Sequence, residues 1–142
     1  MADVRTLLKR DEGYAIHSLI DIAENPGTST SDVAERLQLP PAFTAKVVRK
    51  LVTAGFVVSH TGRSGGLSLA VDLERVSLLD VIEGISGRVV LDTCETEVRC
   101  ATQQRTGDCR LKFAWFATSE QIRAVLTSVK LAQFCNLPAA VE

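Results

Sequence analysis

Apolar residues recur at near-helical spacing along most of the chain, and one short β-branched run interrupts this pattern near the middle. The spacing predicts helices over residues 4–23, 31–39, 41–54, 78–85 and 110–128. Residues 56–60 form the β-branched run, and residues 67–71 follow it after a glycine-rich turn, which predicts a β-hairpin. The expected fold is therefore mainly α with a small β-hairpin.

The second and third predicted helices are joined so closely that they indicate a helix-turn-helix. Thr30 or Ser31 is the expected N-cap of the first of these helices, since a hydroxyl accepts hydrogen bonds from unpaired backbone N–H groups there. Pro40 and Pro41 end this helix and begin the next, and Gly55 ends that one in a left-handed conformation. With the hairpin as a wing, the sequence predicts a winged helix-turn-helix.

Two further helices are expected after the hairpin. Ser77 is the predicted N-cap of the first, and Gly87 is its predicted end. The second runs from Arg110 to about Ser128 and has a broad apolar stripe, made of Phe113, Phe116, Ile122, Val125, Leu126 and Val129. A winged helix of this size has little core to cover such a stripe, so we expect this helix to pack against a second copy of the chain.

Charge is unevenly distributed along the chain. The formal net charge is -1, yet residues 37–71 contain no Asp or Glu, and this region with its N-terminal neighbour carries five cations: Arg36, Lys46, Arg49, Lys50 and Arg63. A cationic helix-turn-helix and wing fit a polyanion such as duplex DNA. We expect Thr44 and Arg49 to contact base edges. We expect Lys46, Lys50 and Arg63 to contact phosphates. The alternative is an ordinary solvated helix face.

The overall composition places the chain among soluble globular proteins, with 46% hydrophobic and 23% charged residues. No run of about 18 apolar residues is present, so no membrane span is expected. The mixed charges at the start do not form a signal peptide, which predicts a cytoplasmic protein. Structural disulfides are rare in that reducing compartment, so the four cysteines need another role.

Three of the cysteines share one segment. Cys94, Cys100 and Cys109 have five and then eight residues between them. Thiolates are soft ligands that favour iron–sulfur clusters, zinc or copper(I). Because no His follows His60 and no tight Cys pair is present, the segment fits an iron–sulfur cluster better than a closed zinc site. Three thiols without a metal are the alternative, and Cys135 is expected to be a bystander.

The chain resembles winged-helix regulators of the Rrf-two superfamily, of the IscR/NsrR type. The resemblance covers about residues 7–134 and rests on GYAIHSLIDIA, on SDVAERLQLPPAFTAKVVRKLVTAGFVVSHTGRSGGLSLA, on VSLLDVIEGISG, on the three cysteines and on Trp115. It implies a homodimeric regulator, usually a repressor, that binds a roughly palindromic operator in double-stranded DNA. It also implies a [2Fe-2S] or [4Fe-4S] cluster held by Cys94, Cys100 and Cys109, which switches DNA binding in response to iron, nitric oxide or redox state.

The same resemblance indicates where a fourth cluster ligand lies. Some members use a His three residues after the last cysteine, where this chain has Lys112. Others use an acidic residue of the first helix, and the matching position here is Gly13, directly after Asp11 and Glu12. One redox-sensing branch also uses a His in that helix, which His17 matches. The fourth-ligand candidates are therefore His17, Glu12 and Asp11, and the alternative for His17 is a histidine without metal. The gap of eight residues before the last cysteine is longer than is usual in the family.

These observations predict a regulator rather than an enzyme, because no nucleophile–base pair, paired carboxylates or phosphate loop is recognisable. The expected organisation is a winged helix-turn-helix DNA-binding domain over residues 1–87, a cysteine cluster-binding loop over 88–109, and a dimerisation helix with its tail over 110–142. A cluster-free regulator of the same fold, which senses redox state through its thiols, is the second hypothesis. A zinc-bound regulator is a third.

Overall fold

The computed structural model describes residues 3–62, 65–96 and 101–136, apart from the side chains of residues 104–106. Its helices are α1 Arg10–Glu24, α2 Thr30–Leu37, α3 Pro41–Thr53, α4 Leu78–Ser86, α5 Ala101–Thr106 and α6 Arg110–Ser128. Its strands are β1 Val57–His60 and β2 Gly66–Leu69, and two 3₁₀ turns cover Thr93–Glu95 and Leu131–Phe134. The predicted fold, mainly α with a β-hairpin, is confirmed. Within the described ranges, no helix has both the length and the apolar character that a membrane crossing requires.

Helix α1 begins later than the apolar spacing predicts. Residues 3–9 are not helical, and the Glu12 carboxylate accepts a hydrogen bond from the Lys9 N–H at 2.9 Å, which closes the first turn. Gly13 does not interrupt the helix. The face that carries Ala15, Leu19 and Ile22 is fully buried and forms one side of the core.

Helices α2 and α3 form the predicted helix-turn-helix. The N-cap of α2 is Ser29, one residue before the predicted pair, and its Oγ accepts from the Asp32 N–H at 3.1 Å. Gln38 adopts a left-handed φ of 54° and turns the chain toward Pro41, the first residue of α3. As predicted, Gly55 follows α3 with a positive φ of 86°.

The wing is an antiparallel pair in which Val57 lies opposite Leu69. Strand β2 also bonds to the turn between α1 and α2, because the Gly27 N–H donates to the Leu67 carbonyl at 2.8 Å and the Leu67 N–H donates to the Thr28 carbonyl at 2.7 Å. Gly66 has a φ of 138°, and a Cβ there would overlap the Gly27 carbonyl oxygen. Only glycine therefore allows the wing to lie so close to that turn.

Helix α4 has the predicted boundaries. Ser77 Oγ accepts from the Asp80 N–H at 3.1 Å, the Asp80 carboxylate accepts from the Ser77 N–H at 2.9 Å, and Gly87 ends the helix. After α6 the chain returns to the core, a step that the sequence pattern did not indicate. Leu131 is fully buried there, and its N–H donates to the Val76 carbonyl at 2.9 Å.

Candidate nucleic-acid interface and cysteine segment

One face of α3 presents the cations that the sequence singled out. Lys46 and Arg49 are exposed and lie three residues apart, so they share one side of the helix with exposed Thr53. Val47 and Leu51 hold the opposite side in the core. This leaves a cationic helix face available for a polyanion.

The prediction that Thr44 contacts a base edge is wrong for this conformation. Its side chain is 0% exposed, because position 44 lies on the core side of α3. Its hydroxyl donates to the Pro40 carbonyl at 3.1 Å, a bond within the first turn of the helix. The Thr44 hydroxyl is therefore used inside the helix-turn-helix and does not face solvent.

Two of the five cations are paired with acids of α1. The Lys50 ammonium lies 2.5 Å from the Asp11 carboxylate, and this hydrogen bond holds the pKa of Asp11 below its ordinary value. The Arg36 guanidinium forms a fork on Asp21, at 2.9 and 2.8 Å, which raises the pKa of Arg36. The local charge counted along the sequence therefore overstates the cationic surface. Arg63, predicted at the wing tip, lies outside the described residues.

The cysteine segment is partly described. Cys94 and Cys109 are half-buried and form no disulfide, and Cys100 lies outside the described residues. Cys94 belongs to the 3₁₀ turn Thr93–Glu95, where its N–H donates to the Asp92 carboxylate at 2.9 Å. Hydrogen bonds from the backbone and the thiol of Cys94 lower the pKa of Asp92.

Cys109 caps the first turn of α6. Its Sγ accepts from the Lys112 N–H at 3.4 Å, an arrangement that places the sulfur at the positive end of a 19-residue helix. The same side chain lines a cavity of about 410 Å³ together with Glu95 and Phe113. Gln103 also lines this cavity, and its Oε1 is buried without a hydrogen-bond partner among the residues that the structure describes.

The segment is attached to α6 by a group of hydrogen bonds that sequence reasoning missed. The Ser119 hydroxyl donates to Glu95 Oε2 at 2.8 Å and accepts from the Leu91 N–H at 2.9 Å. The pattern from Asp92 to Glu95 is that of a capping box, and this signal identifies Glu95 as the residue that reaches back to the Asp92 N–H. Nothing local in the sequence indicates Ser119 as its partner.

A second missed contact joins α6 to α4. The Arg123 guanidinium makes two hydrogen bonds to the Glu83 carboxylate, at 3.0 and 2.9 Å, and they lower the pKa of Glu83. Glu83 also accepts from the Val89 N–H at 2.8 Å. Helix α6 is therefore tied to the winged helix by an ion pair as well as by the cysteine segment.

The proposed fourth ligands have other partners in the single chain. Asp11 bonds to Lys50, and buried Glu12 accepts from the backbone at the start of α1. His17 is exposed, with its ring centroid 6.1 Å from that of Tyr14. Among the described residues, no three His, Cys, Asp or Glu side chains are grouped to hold a metal ion.

Cys135 is separate from this segment in its contacts. It packs against the core, and its thiol donates to the Leu131 carbonyl at 3.5 Å. Burial, with a contribution from the charge of Glu24, raises the pKa of the Cys135 thiol.

Large apolar side chains of α6 are left uncovered. Phe113 is 67% exposed, Phe116 51% and Val125 64%, whereas Ser119 is the only buried residue of this fully described helix. Phe113 and Phe116 lie three residues apart and therefore form one exposed apolar patch, which is typical of a protein–protein interface.

Known proteins share this arrangement. A model of the Rrf2 family, described as an iron-dependent transcriptional regulator, matches residues 8–137. The repressor NsrR of Streptomyces coelicolor is 29% identical over 110 residues, which cover 78% of this chain and 72% of that protein. Some other relatives are matched over about half of their own length.

Two solved structures have the same fold. IscR of T. potens superposes with a TM-score of 0.66 at 23% identity, over 92% of this chain and 85% of that one. CymR (YrzC), the global cysteine regulator of B. subtilis, superposes with a TM-score of 0.68 at 20% identity, over 94% and 96%. These relatives are transcriptional regulators and not enzymes. The match over most of its length shows that this chain belongs to the Rrf2 family of transcriptional regulators.

Proposed function

We propose that the chain is a homodimeric, DNA-binding repressor whose affinity for a palindromic operator is controlled by an iron–sulfur cluster. One observation supports this proposal: the segment that bears the cysteines is bonded directly to α6, the helix with the exposed pair Phe113 and Phe116. The description of the family as iron-dependent supports an iron-based signal.

The DNA contacts of the proposal come from α3 and the wing. Lys46 and Arg49 lie on the exposed face of α3 and are free of the acids of α1, so they supply contacts to phosphates and base edges. Arg63 supplies a further contact from the wing tip. Lys50 is shared with Asp11 and contributes less charge to the duplex. Thr44 has no part, because it is buried.

The dimer of the proposal is formed through α6. Phe113 and Phe116, which lie three residues apart on one side of α6, would bury their exposed surface against the same helix of a second copy. Operator half-sites that face the same side of DNA are about 34 Å apart, so the separation of the two winged helices decides whether both can bind.

Cys94, Cys100 and Cys109 would hold the cluster. The donor set fits, because three thiolates within one segment suit iron–sulfur chemistry, and Cys109 borders a cavity of about 410 Å³. When bound, the cluster supplies a centre that responds to oxidation, nitric oxide or iron supply. His17, Glu12 or Asp11 remains a proposed fourth ligand; a role for Asp11 would require it to leave Lys50.

The chain's own contacts supply a route from the segment to the DNA. Glu95 and Ser119 join the segment to α6, and Arg123 joins α6 to Glu83 of α4. A change in the cysteine segment therefore acts on α6, the helix that sets the separation of the two winged helices in the proposed dimer. Operator affinity changes with that separation.

Anaerobic purification of the full chain, followed by absorbance spectra and iron and sulfide analysis, tests the cluster. We expect coloured protein that contains iron and sulfide, and loss of iron when Cys94, Cys100 or Cys109 is replaced by Ser. Cys135→Ser is the matched control and should keep its iron. Metal-free protein from cells with working cluster assembly, or full iron in the triple variant, would refute the proposal.

A cluster-free thiol sensor is the second candidate function, and the setting of Cys109 favours it. The Sγ accepts an N–H at the start of a long helix and borders the cavity of about 410 Å³. In this mechanism two thiols form a disulfide and pass two electrons and two protons to a peroxide. Elemental analysis separates it from the cluster and from zinc, since the protein would contain no metal and would lose operator affinity reversibly on oxidation.

A further inference from the structure

Ser119 is an unusual residue for the centre of α6. It is 2% exposed, while large apolar residues of the same helix face solvent. A buried hydroxyl is costly unless it is hydrogen-bonded, and Ser119 has both a donor and an acceptor role in its contacts with Glu95 and Leu91. Ser119 thus joins the middle of α6 to the cysteine segment.

Glu95 completes this contact from the other side. Besides the Ser119 hydroxyl, its Oε2 accepts two backbone N–H groups of the segment, at 2.9 and 3.2 Å. Cys94 precedes Glu95 in the 3₁₀ turn that these bonds close. Glu95 also lines the cavity beside Cys109. One carboxylate therefore fixes the turn that carries the first cysteine against the helix that begins at the last.

We propose that Glu95 and Ser119 form a latch that positions Cys94 relative to Cys109 and passes the state of the segment to α6. The inference deepens the proposed control through the cysteine segment and rests on it. Both are positioning residues, because they act on the thiols through the backbone of the segment and its contact with α6. Breaking the latch leaves every thiol in the chain and loosens only their relative placement.

The first test uses the full chain after its metal has been removed. Iodoacetamide labels the cysteines, and mass spectrometry follows the rate at Cys94, with Cys135 as an internal reference. We expect Ser119→Ala and Glu95→Ala each to raise the Cys94 rate at least about fivefold, the factor for the loss of one hydrogen bond of ordinary strength, because Ser119 makes two of these bonds and Glu95 accepts three. Glu95→Gln keeps an acceptor oxygen and should restore a rate near that of the wild type.

Thr118→Ala is the matched control for the loss of a hydroxyl from α6. Thr118 is the exposed neighbour of Ser119, and its hydroxyl donates to the Ala114 carbonyl within the helix. Its removal should leave the Cys94 rate unchanged. Circular dichroism tests whether each variant is folded. If Glu95→Ala does not fold, Ser119→Ala and Glu95→Gln still decide the test.

The second test uses the iron-loaded protein and measures the rate at which a chelator removes iron. Residues that orient metal ligands typically change metal affinity by 10- to 100-fold, so Ser119→Ala should accelerate iron loss by about tenfold. Because the two residues act as one unit, the double variant with Glu95→Ala should also be near tenfold, whereas independent effects would multiply to about a hundredfold.

The outcomes are distinct. Equal Cys94 rates in wild type and Ser119→Ala overturn the latch, as does an equal acceleration by Thr118→Ala. Multiplying effects in the double variant also overturn it. A wild type that never contains iron defeats the cluster proposal alone, because the labelling comparison still decides whether Ser119 positions Cys94.

Discussion

Replacement of Lys46 by Ala tests which cations of α3 meet the DNA backbone. Lys46 and Arg49 are exposed, whereas the side chain of Lys50 is 34% exposed and its ammonium lies 2.5 Å from Asp11. A lysine that is already paired with a carboxylate displaces fewer counterions from DNA than an unpaired one. We therefore expect Lys46→Ala and Lys50→Ala to differ, although both remove one positive charge.

The magnitude follows from counterion release. Each phosphate contact contributes about 0.9 to the slope of log affinity against log salt, so one contact weakens binding by about 3.5-fold over a fourfold rise in salt. Lys46→Ala should reduce the loss of affinity over this fourfold rise in salt by about 3.5-fold. The double variant with Arg49→Ala should reduce it by about 12-fold. Lys50→Ala should change the slope by less than half of the single-contact value. Asp11→Asn releases Lys50 and should steepen the slope by up to about 0.9.

Fluorescence anisotropy with a labelled duplex, at salt concentrations between about 50 and 200 mM, measures these slopes. A duplex of arbitrary sequence is sufficient, because the phosphate contribution does not depend on sequence. Arg110→Ala gives the same charge change at the start of α6, outside the winged helix, and should leave the slope unchanged. Equal reductions for Lys46→Ala and Lys50→Ala would refute the reasoning that Asp11 withholds Lys50 from DNA.

Three further predictions concern the stability of the fold. Gly66→Ala should destabilise the protein by about 1–3 kcal/mol in chemical denaturation, because the new Cβ overlaps backbone atoms at a positive φ. Gly13→Ala is the control: it lies inside a helix where a Cβ meets nothing within 4 Å, so it should stabilise the protein by about 0.5–1 kcal/mol. Ser77→Ala removes the cap of α4 and should cost about 1 kcal/mol, seen as a fall in Tm of about 3 °C; an unchanged Tm would contradict the capping role. The Arg123 ion pair lowers the pKa of Glu83 below its ordinary 4.5, so its stabilisation is complete above that value and is lost as the pH falls through the folded-state pKa. The Tm of Arg123→Ala should therefore vary less than that of the wild type between about pH 5 and pH 3, and parallel curves would contradict this.

The sequence predicted the helix boundaries that are set by residues close to each other in the chain. The Ser77 cap and the Gly87 stop of α4 were both predicted, because a cap and a turn use residues within a few positions of each other. The boundaries of α3 were predicted nearly to the residue for the same reason, with Pro41 at its start and Gly55 after its end. The helical spacing before Arg10 was misleading, because no packing surface covers those residues.

Contacts between elements were the part that the sequence did not predict. Lys50 and Asp11 are 39 positions apart, and Glu95 and Ser119 are 24 apart, so neither pairing has a local pattern. Thr44 is buried because it lies on the same side of α3 as Val47 and Leu51. The apolar spacing of α3 does not decide whether position 43 or position 44 lies at the centre of that side. Prediction from residue type alone therefore did not show that Thr44 is buried or that Lys50 is paired with Asp11.

The contacts of α6 link the two halves of the proposed mechanism. Its first turn is capped by Cys109, its middle is bonded to the cysteine segment through Ser119, and its next turn is paired with α4 through Arg123. The apolar side chains that would meet a second copy project from the same helix. A change in the contacts at one end of a packed helix can be transmitted to its other contacts, because packed elements can shift as units. In the proposed mechanism α6 pairs the subunits, and a change at the cysteines would alter the placement of the two α3 helices without a separate hinge between the cysteine segment and the DNA-binding domain.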